Sequence, residues 1–247
     1  SAVAGFSFES INYMLGGRFR ASFRPLNDNI INGRIRGIVG VVGCTNPKMP
    51  QDFTHTTIVK ELIKRDVLCL TTGCATIACG KQGLNNPKES LELAGPGLRE
   101  VCEAVGIPPV LACGSCVDNT RLLVSCSELV REGGLGEDLS ELPIAGVCLE
   151  SVAEKAVAIG QYFVASGALV VFAEDILPIT GSENVSNYLF DGIEKDLGGK
   201  WATESDPVKA AEMILAHIEA KRDALGINKA AERKLYDMED RRALAVE

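Results

Sequence analysis

Apolar residues follow two alternating rhythms along this chain. Short, nearly continuous apolar runs at Gly37–Val42, Val67–Thr71, Val110–Ala112, Ile144–Cys148 and Leu169–Ala173 read as strands buried on both faces. Between them the apolar positions fall at helical spacing. Thr54–Lys64 carries Ile58, Leu62 and Ile63 on one face, and Leu98–Val105, Asn119–Arg131 and Glu150–Ala165 repeat the pattern. Gly106 before Pro108-Pro109, the pair Gly133-Gly134, and Gly167 punctuate the helix ends. Helices are also predicted over Ser182–Asp196 and Val208–Ala224, separated by a short Trp201–Thr203 segment, and amphipathic segments at Phe8–Leu15 and Asn27–Ile31 precede the first strand. Strands alternating with helices through short connections specify an α/β fold: a Rossmann-like three-layer domain with a mostly parallel sheet and helices on both faces. Residues 1–225 form this domain in the expected arrangement. The charge-dense segment 226–247 is expected to be an exposed helical extension or an arm that packs on another chain.

With 247 residues, 46% of them apolar, the chain can bury a substantial core. A formal charge of −8 and the lack of clustered Lys/Arg beside aromatics argue against nucleic acid as a partner. The longest apolar runs are strand-sized, too short to cross a bilayer, and no basic segment followed by an apolar one opens the chain. Nine cysteines in such a chain read as thiols and metal ligands in a reducing cytoplasm rather than as a disulfide framework. The chain opens on Ser1, which fits maturation or a piece of a longer protein.

Three cysteines occupy equivalent places. Cys44 closes Val41-Val42-Gly43, Cys74 closes Thr71-Thr72-Gly73 and Cys116 closes Cys113-Gly114-Ser115, each after a strand-like run and before a helix-like one. Carboxyl ends of parallel strands gather along one sheet edge, so these thiols are expected to converge there. Thiolates are soft ligands for iron–sulfur clusters, zinc and low-valent metals, and the neighbouring glycines allow close backbone approach. Cys69 and Cys148 within strands, and Cys79, Cys102 and Cys126 within helical runs, read as core packing. Cys113 and Cys116 form a C-x-x-C, but no second pair exists to complete a structural zinc site. Lys155 stands near the start of an otherwise apolar helix, where its default reading is a side chain reaching solvent. His55 and His217, the two histidines, have no ligand-like neighbours, and no glycine-rich nucleotide fingerprint follows a strand.

Six segments share a family pattern: Ile38-Val39-Gly40-Val41-Val42-Gly43-Cys44-Thr45-Asn46, Lys60-Glu61-Leu62-Ile63-Lys64-Arg65-Asp66-Val67-Leu68, Thr71-Thr72-Gly73-Cys74, Gly114-Ser115-Cys116-Val117-Asp118-Asn119, Glu154-Lys155-Ala156-Val157-Ala158-Ile159-Gly160 and Tyr162-Phe163-Val164-Ala165-Ser166-Gly167. In order and spacing, from about Gly33 to Leu225, the chain resembles the carboxy-terminal domain of nickel-dependent carbon monoxide dehydrogenases. The resemblance implies the reversible oxidation of CO with water to carbon dioxide, two protons and two electrons at a NiFe4S4-type nickel–iron–sulfur cluster. It aligns Cys44 and Cys74 with iron ligands and Cys116 with the nickel ligand. Lys155 matches the family's active-site lysine, which would hydrogen-bond the bound carboxylate and help move protons, and Ile159 would help shape the CO pocket. It also implies partners: middle and amino-terminal domains or subunits carrying a histidine, two more cysteine ligands and electron-transfer cubanes, a second copy of the complete enzyme, and a ferredoxin-type electron acceptor.

Two departures stand out from this pattern. Ala112-Cys113 replaces a His-Met pair and Ser151-Val152 replaces a Trp-Met pair, which changes the shell around nickel and brings a competing thiol, Cys113, close in sequence. The related hybrid-cluster proteins share the glycine–cysteine layout but place a glutamate ligand where this chain has Ala153. A cluster-free structural or assembly domain of the same fold is the reading from another class.

Overall fold

A computed structural model describes residues 4–7, 9–11, 14, 23–152, 154–174 and 181–228. Among them, six strands form one sheet: β1 (Gly37–Val41), β2 (Val67–Thr72), β3 (Val110–Gly114), β4 (Ile144–Cys148), β5 (Leu169–Phe172) and β6 (Lys200–Thr203). Their order is β3-β2-β1-β4-β5-β6, and every neighbouring pair is parallel. The expected Rossmann-like fold is therefore present, and the sheet is parallel throughout. Val39 sits opposite Cys69 on one side and Ala145 on the other, so β1 is central. The register of β2 against β3 slips between Thr71 and Thr72, pairing Thr72 with Gly114 just where both strands turn towards their cysteines.

Helices cover both faces. On one, Pro207–Ala224 packs against Phe53–Ile63 and against β4 and β5. It starts at Asp206, whose carboxylate accepts the Val208 and Lys209 N–H groups at 2.8 and 3.1 Å, with Pro207 in the first turn. Its buried stripe is Ala210, Ala211, Ile214 and Ile218. Across the sheet, Leu122 of Thr120–Glu132 and Phe163 of Glu154–Ala165 pack together over Gly40 of β1. Where this layer meets β5 and β6, the rings of Phe172 and Trp201 meet at a 55° tilt with centroids 4.9 Å apart, and the Trp201 indole donates to Gln161.

Three expected elements differ in detail. Trp201–Thr203 belongs to a sixth strand, edge strand β6, whose four residues are too few to show alternation. Ser182–Asp196 is divided into Glu183–Asn187, a π turn at Tyr188–Gly192 and Ile193–Leu197. The widened turn directs Leu189, Phe190 and Ile193 to the same small core around Trp201. The helix after β4 begins at Glu154 rather than Glu150, leaving Leu149–Val152 as a connection at the sheet edge. Half of Phe8–Leu15 and all of 229–247 lie outside the described residues, as does Ala153. Gly226–Asn228 pack on the domain: Asn228 accepts from Arg36 and from the buried Arg222, which also donates to the Ile30 carbonyl at 2.6 Å. Among the described residues no helix is long and apolar enough to cross a membrane.

His217 lies in the Pro207–Ala224 helix, and burial, helped by Lys221 and Lys200, depresses its pKa to about 4. The unfolded chain takes up the corresponding proton near pH 6.5, so this histidine's contribution to stability is complete above that pH and is lost between about 6.5 and 4. Allowing for its partial solvation, the loss is about 1–2 kcal/mol. Denaturant titrations across this range are expected to show a shallower acid slope for His217→Gln; an identical slope would exclude this histidine as its source.

Candidate metal centre

The edge where β1 and β4 lie side by side is the switch point of this sheet, because connections leave it in opposite directions and a crevice opens between them. The Val42 N–H donates to the Val147 carbonyl, and beyond it the Cys44 N–H donates to the Glu150 carbonyl at 2.8 Å. Gly43 between them has φ +138°, and a Cβ there would stand 2.5 Å from the Glu150 carbonyl oxygen and 2.9 Å from the His55 ring. Only glycine fits. Its role is thus to let two protein segments meet, beyond the close approach to a ligand expected from composition.

Each of the other two cysteines is held differently. Cys74 lies in the first turn of Gly73–Lys81, which starts directly at the end of β2, and its side chain is exposed. Gly73, at φ +60°, places the position of a Cβ 3.2 Å from the Cys116 Cβ, so these two turns abut. Cys116 opens a 3₁₀ turn, Cys116–Asn119, capped by Ser115 and Asp118, whose carboxylate accepts the Ser115 N–H at 2.7 Å. Asn119 donates to the Cys116 carbonyl at 2.9 Å and accepts the Thr72 hydroxyl at 2.5 Å, tying the end of β2 to the cysteine after β3. Cys44 departs from the expected pattern: turns and loop occupy the positions up to Asp52, and the next helix starts only at Phe53.

Lys155 returns to this edge from the helix after β4. Its Nζ donates to the Cys116 Sγ at 2.9 Å, and this contact, followed by the charges of Cys44 and Cys74, raises its pKa. Rather than merely reaching solvent, the lysine thus caps a thiol. Cys44, Cys116, Lys155 and Ile159 line one cleft of about 310 Å³ including its open mouth, together with Asn119 and Cys148. Cys74 borders the same region through the abutting Gly73 turn.

The remaining six cysteines are buried, as the strand and helix positions of Cys69, Cys79, Cys102, Cys126 and Cys148 implied and as was not foreseen for Cys113. Burial pushes Cys79, Cys102, Cys113, Cys126 and Cys148 up to about 12. Cys113, the competing thiol expected from sequence, lies in the core with its Sγ directed at the Leu111 carbonyl. The C-x-x-C therefore does not act as a paired zinc clip. Among the described residues no three His, Cys, Asp or Glu side chains are close enough to share a single ion. Three accessible thiols on one edge, spaced too widely for one ion and one of them bonded to an ammonium, suit a cluster whose metal atoms are met one at a time.

Sequence reading passed over the supporting residues. His55 is buried with Nε2 2.8 Å from the Cys44 carbonyl oxygen, and Glu150 is fully buried behind the same turn. Ser151, one of the departures, places its hydroxyl 3.8 Å from the Cys44 sulfur. An acidic residue directly after the apolar run Val147-Cys148-Leu149 was the signal for Glu150, hidden because the helix was extended over it.

The model of the Prismane/CO dehydrogenase family matches residues 2–208. Carbon monoxide dehydrogenase 1 of Methanosarcina mazei is 48% identical over 226 residues, covering 92% of this chain and 35% of that protein. A nickel-free carbon monoxide dehydrogenase from Thermococcus sp. AM4 superposes with a TM-score of 0.83 at 48% identity, over 91% of this chain and 34% of that one. Carbon monoxide dehydrogenase IV from Carboxydothermus hydrogenoformans gives 0.85 at 41% identity, over 91% and 36%. The chain spans about a third of the length of these relatives.

Gly43→Ala is expected to destabilise the domain by about 3 kcal/mol or more, since it combines an unfavourable φ with overlap on the Glu150 carbonyl. Gly106→Ala, with positive φ but open space around it, is expected to cost about 1 kcal/mol. Equal losses in urea titrations would refute the close approach at Gly43.

Proposed function

Because the chain belongs to the Prismane/CO dehydrogenase family, we propose that it is the cluster-bearing carboxy-terminal domain of an anaerobic, nickel-dependent carbon monoxide dehydrogenase, the enzyme that converts CO and water to carbon dioxide, two protons and two electrons. The observation that carries this reading is the Lys155 ammonium on the Cys116 sulfur, in one cleft with Cys44. Cys44 and Cys74 would hold iron and Cys116 nickel in a NiFe4S4-type cluster, which supplies the metal for CO and takes up the electron pair. A histidine and two further cysteines from the rest of the longer protein would complete the ligand set. Ile77, Val117 and Val152, exposed apolar residues beside Cys74, Cys116 and Lys155, support closure of this edge by another part of that protein.

The chain's own residues divide the remaining work. Lys155 keeps a positive charge at the cleft, where it stabilises negative charge developing on substrate oxygen and can pass a proton. Ile159, one helical turn on, is half-buried in the same wall and excludes water from it. Thr72 and Asn119 fix the carbonyl of Cys116 so that its sulfur faces the lysine. A second copy and a ferredoxin-type acceptor in a reducing cytoplasm belong to the same reading. The cluster-free alternative drew on the ligands this chain lacks and on the altered neighbours of Cys116 and Lys155. Burial of Cys113 and the Ser151 contact to Cys44 favour a retained site instead.

Metal analysis and electron paramagnetic resonance on the anaerobically prepared full-length protein test the reading, with CO-dependent dye reduction as the activity. Nickel and iron together with activity are expected. Lys155→Ala should lower turnover by about 10²–10⁴-fold with metal content retained, whereas Cys116→Ala should abolish it with loss of nickel. Unchanged activity in Cys116→Ala, or native protein free of nickel and iron, would overturn the assignment.

A further inference from the structure

Among the described residues Glu150 is the only carboxyl side chain that is fully buried. A carboxyl group withdrawn from water needs partners, and these converge on one turn. Its Oε1 accepts the Asn46 N–H at 2.6 Å, and its own backbone carbonyl accepts the Cys44 N–H at 2.8 Å. Oε2 has no hydrogen-bond donor and faces His55 Nε2 at 3.7 Å. That nitrogen lies 2.8 Å from the Cys44 carbonyl oxygen, which can only accept, so Nε2 carries a hydrogen. Cys44 is therefore held at its N–H, at its C=O and, two residues on, at Asn46, with every hold leading to Glu150 or His55. Its rival thiols lack this backing: Cys74 is set by a helix start and Cys116 by the Thr72–Asn119 link.

We propose that Glu150 and His55 are positioning residues for Cys44, fixing the peptide planes on both sides of it so that its thiol is presented to iron from a single direction. The inference deepens the cluster assignment above and rests on it for the identity of the metal. Glu150 acts through hydrogen-bond acceptance, which a glutamine reproduces at Asn46. His55 acts as a donor from the opposite side of the turn.

Hydrogen exchange read by mass spectrometry on this chain tests the clamp without any cluster. Glu150→Ala is expected to accelerate exchange in the segment 43–47 about tenfold, as for loss of one buried hydrogen bond. Segments around Cys74 and Cys116 should stay within about twofold, and Glu150→Gln should return the 43–47 segment close to native. If Glu150→Ala does not fold, His55→Asn, too short to reach the Cys44 carbonyl, carries the same expectation. Unchanged exchange, or equal acceleration around all three cysteines, would overturn the clamp. In the cluster-loaded full-length protein, Glu150→Ala should retain iron but shift the electron paramagnetic resonance spectrum, with Glu150→Gln restoring it. An unshifted spectrum at full iron content would show that Glu150 is merely structural. Absence of iron from the native protein would instead defeat the cluster assignment, while the exchange result would still decide whether the clamp exists.

Discussion

Six strands running in one direction must all end at one edge, and every strand-to-helix turn is delivered there. The order of the strands then decides which turns meet. Because β1 is flanked by β2 and β4, the segment after β1 is bonded to the segment after β4, while the turns after β2 and β3 abut on the other side. Cys44 thereby faces Glu150 and Ser151, and Cys74 borders Cys116. Lys155, carried by the helix after β4, reaches past the ends of β1 and β2 to the cysteine after β3. No sequence-local motif could bring these groups together; the parallel sheet does so as a by-product of its topology.

That constraint also explains what could be read from the chain. Strands buried on both faces are near-continuous apolar runs, and five of them were visible for that reason, as was the shared position of the three cysteines. The sixth strand was hidden because edge strands need fewer apolar residues: Lys200 is exposed and only Trp201 is fully buried. Helix periodicity misled at Glu150, where a carboxyl group looks like the first polar position of a helix. It is the opposite, a polar group turned into the crevice beneath Cys44. Contacts between turns widely separated in sequence, such as Thr72 with Asn119 or His55 with Cys44, leave no periodic trace and emerge only with the fold.

Burial sorts the nine cysteines. Six lie within the core, where desolvation disfavours the thiolate and makes them poor ligands. Three remain accessible, and all three are at the switch edge. Cys113 illustrates how sharp the sorting is. It stands three residues from Cys116, yet the strand carries its thiol inward while Gly114 and Ser115 turn the chain so that Cys116 emerges at the edge.

The same sorting bears on the altered neighbours of the site. A substitution beside a ligand matters to a cluster only if its side chain reaches the cleft. Cys113 does not, since its thiol is spent in the core. Ser151 does, because its hydroxyl lies within reach of the Cys44 sulfur. Hydrogen bonds to cluster sulfurs are among the factors that set reduction potential. Among the replaced positions Ser151 thus touches a cysteine sulfur, and the sulfur it touches is that of Cys44 rather than Cys116.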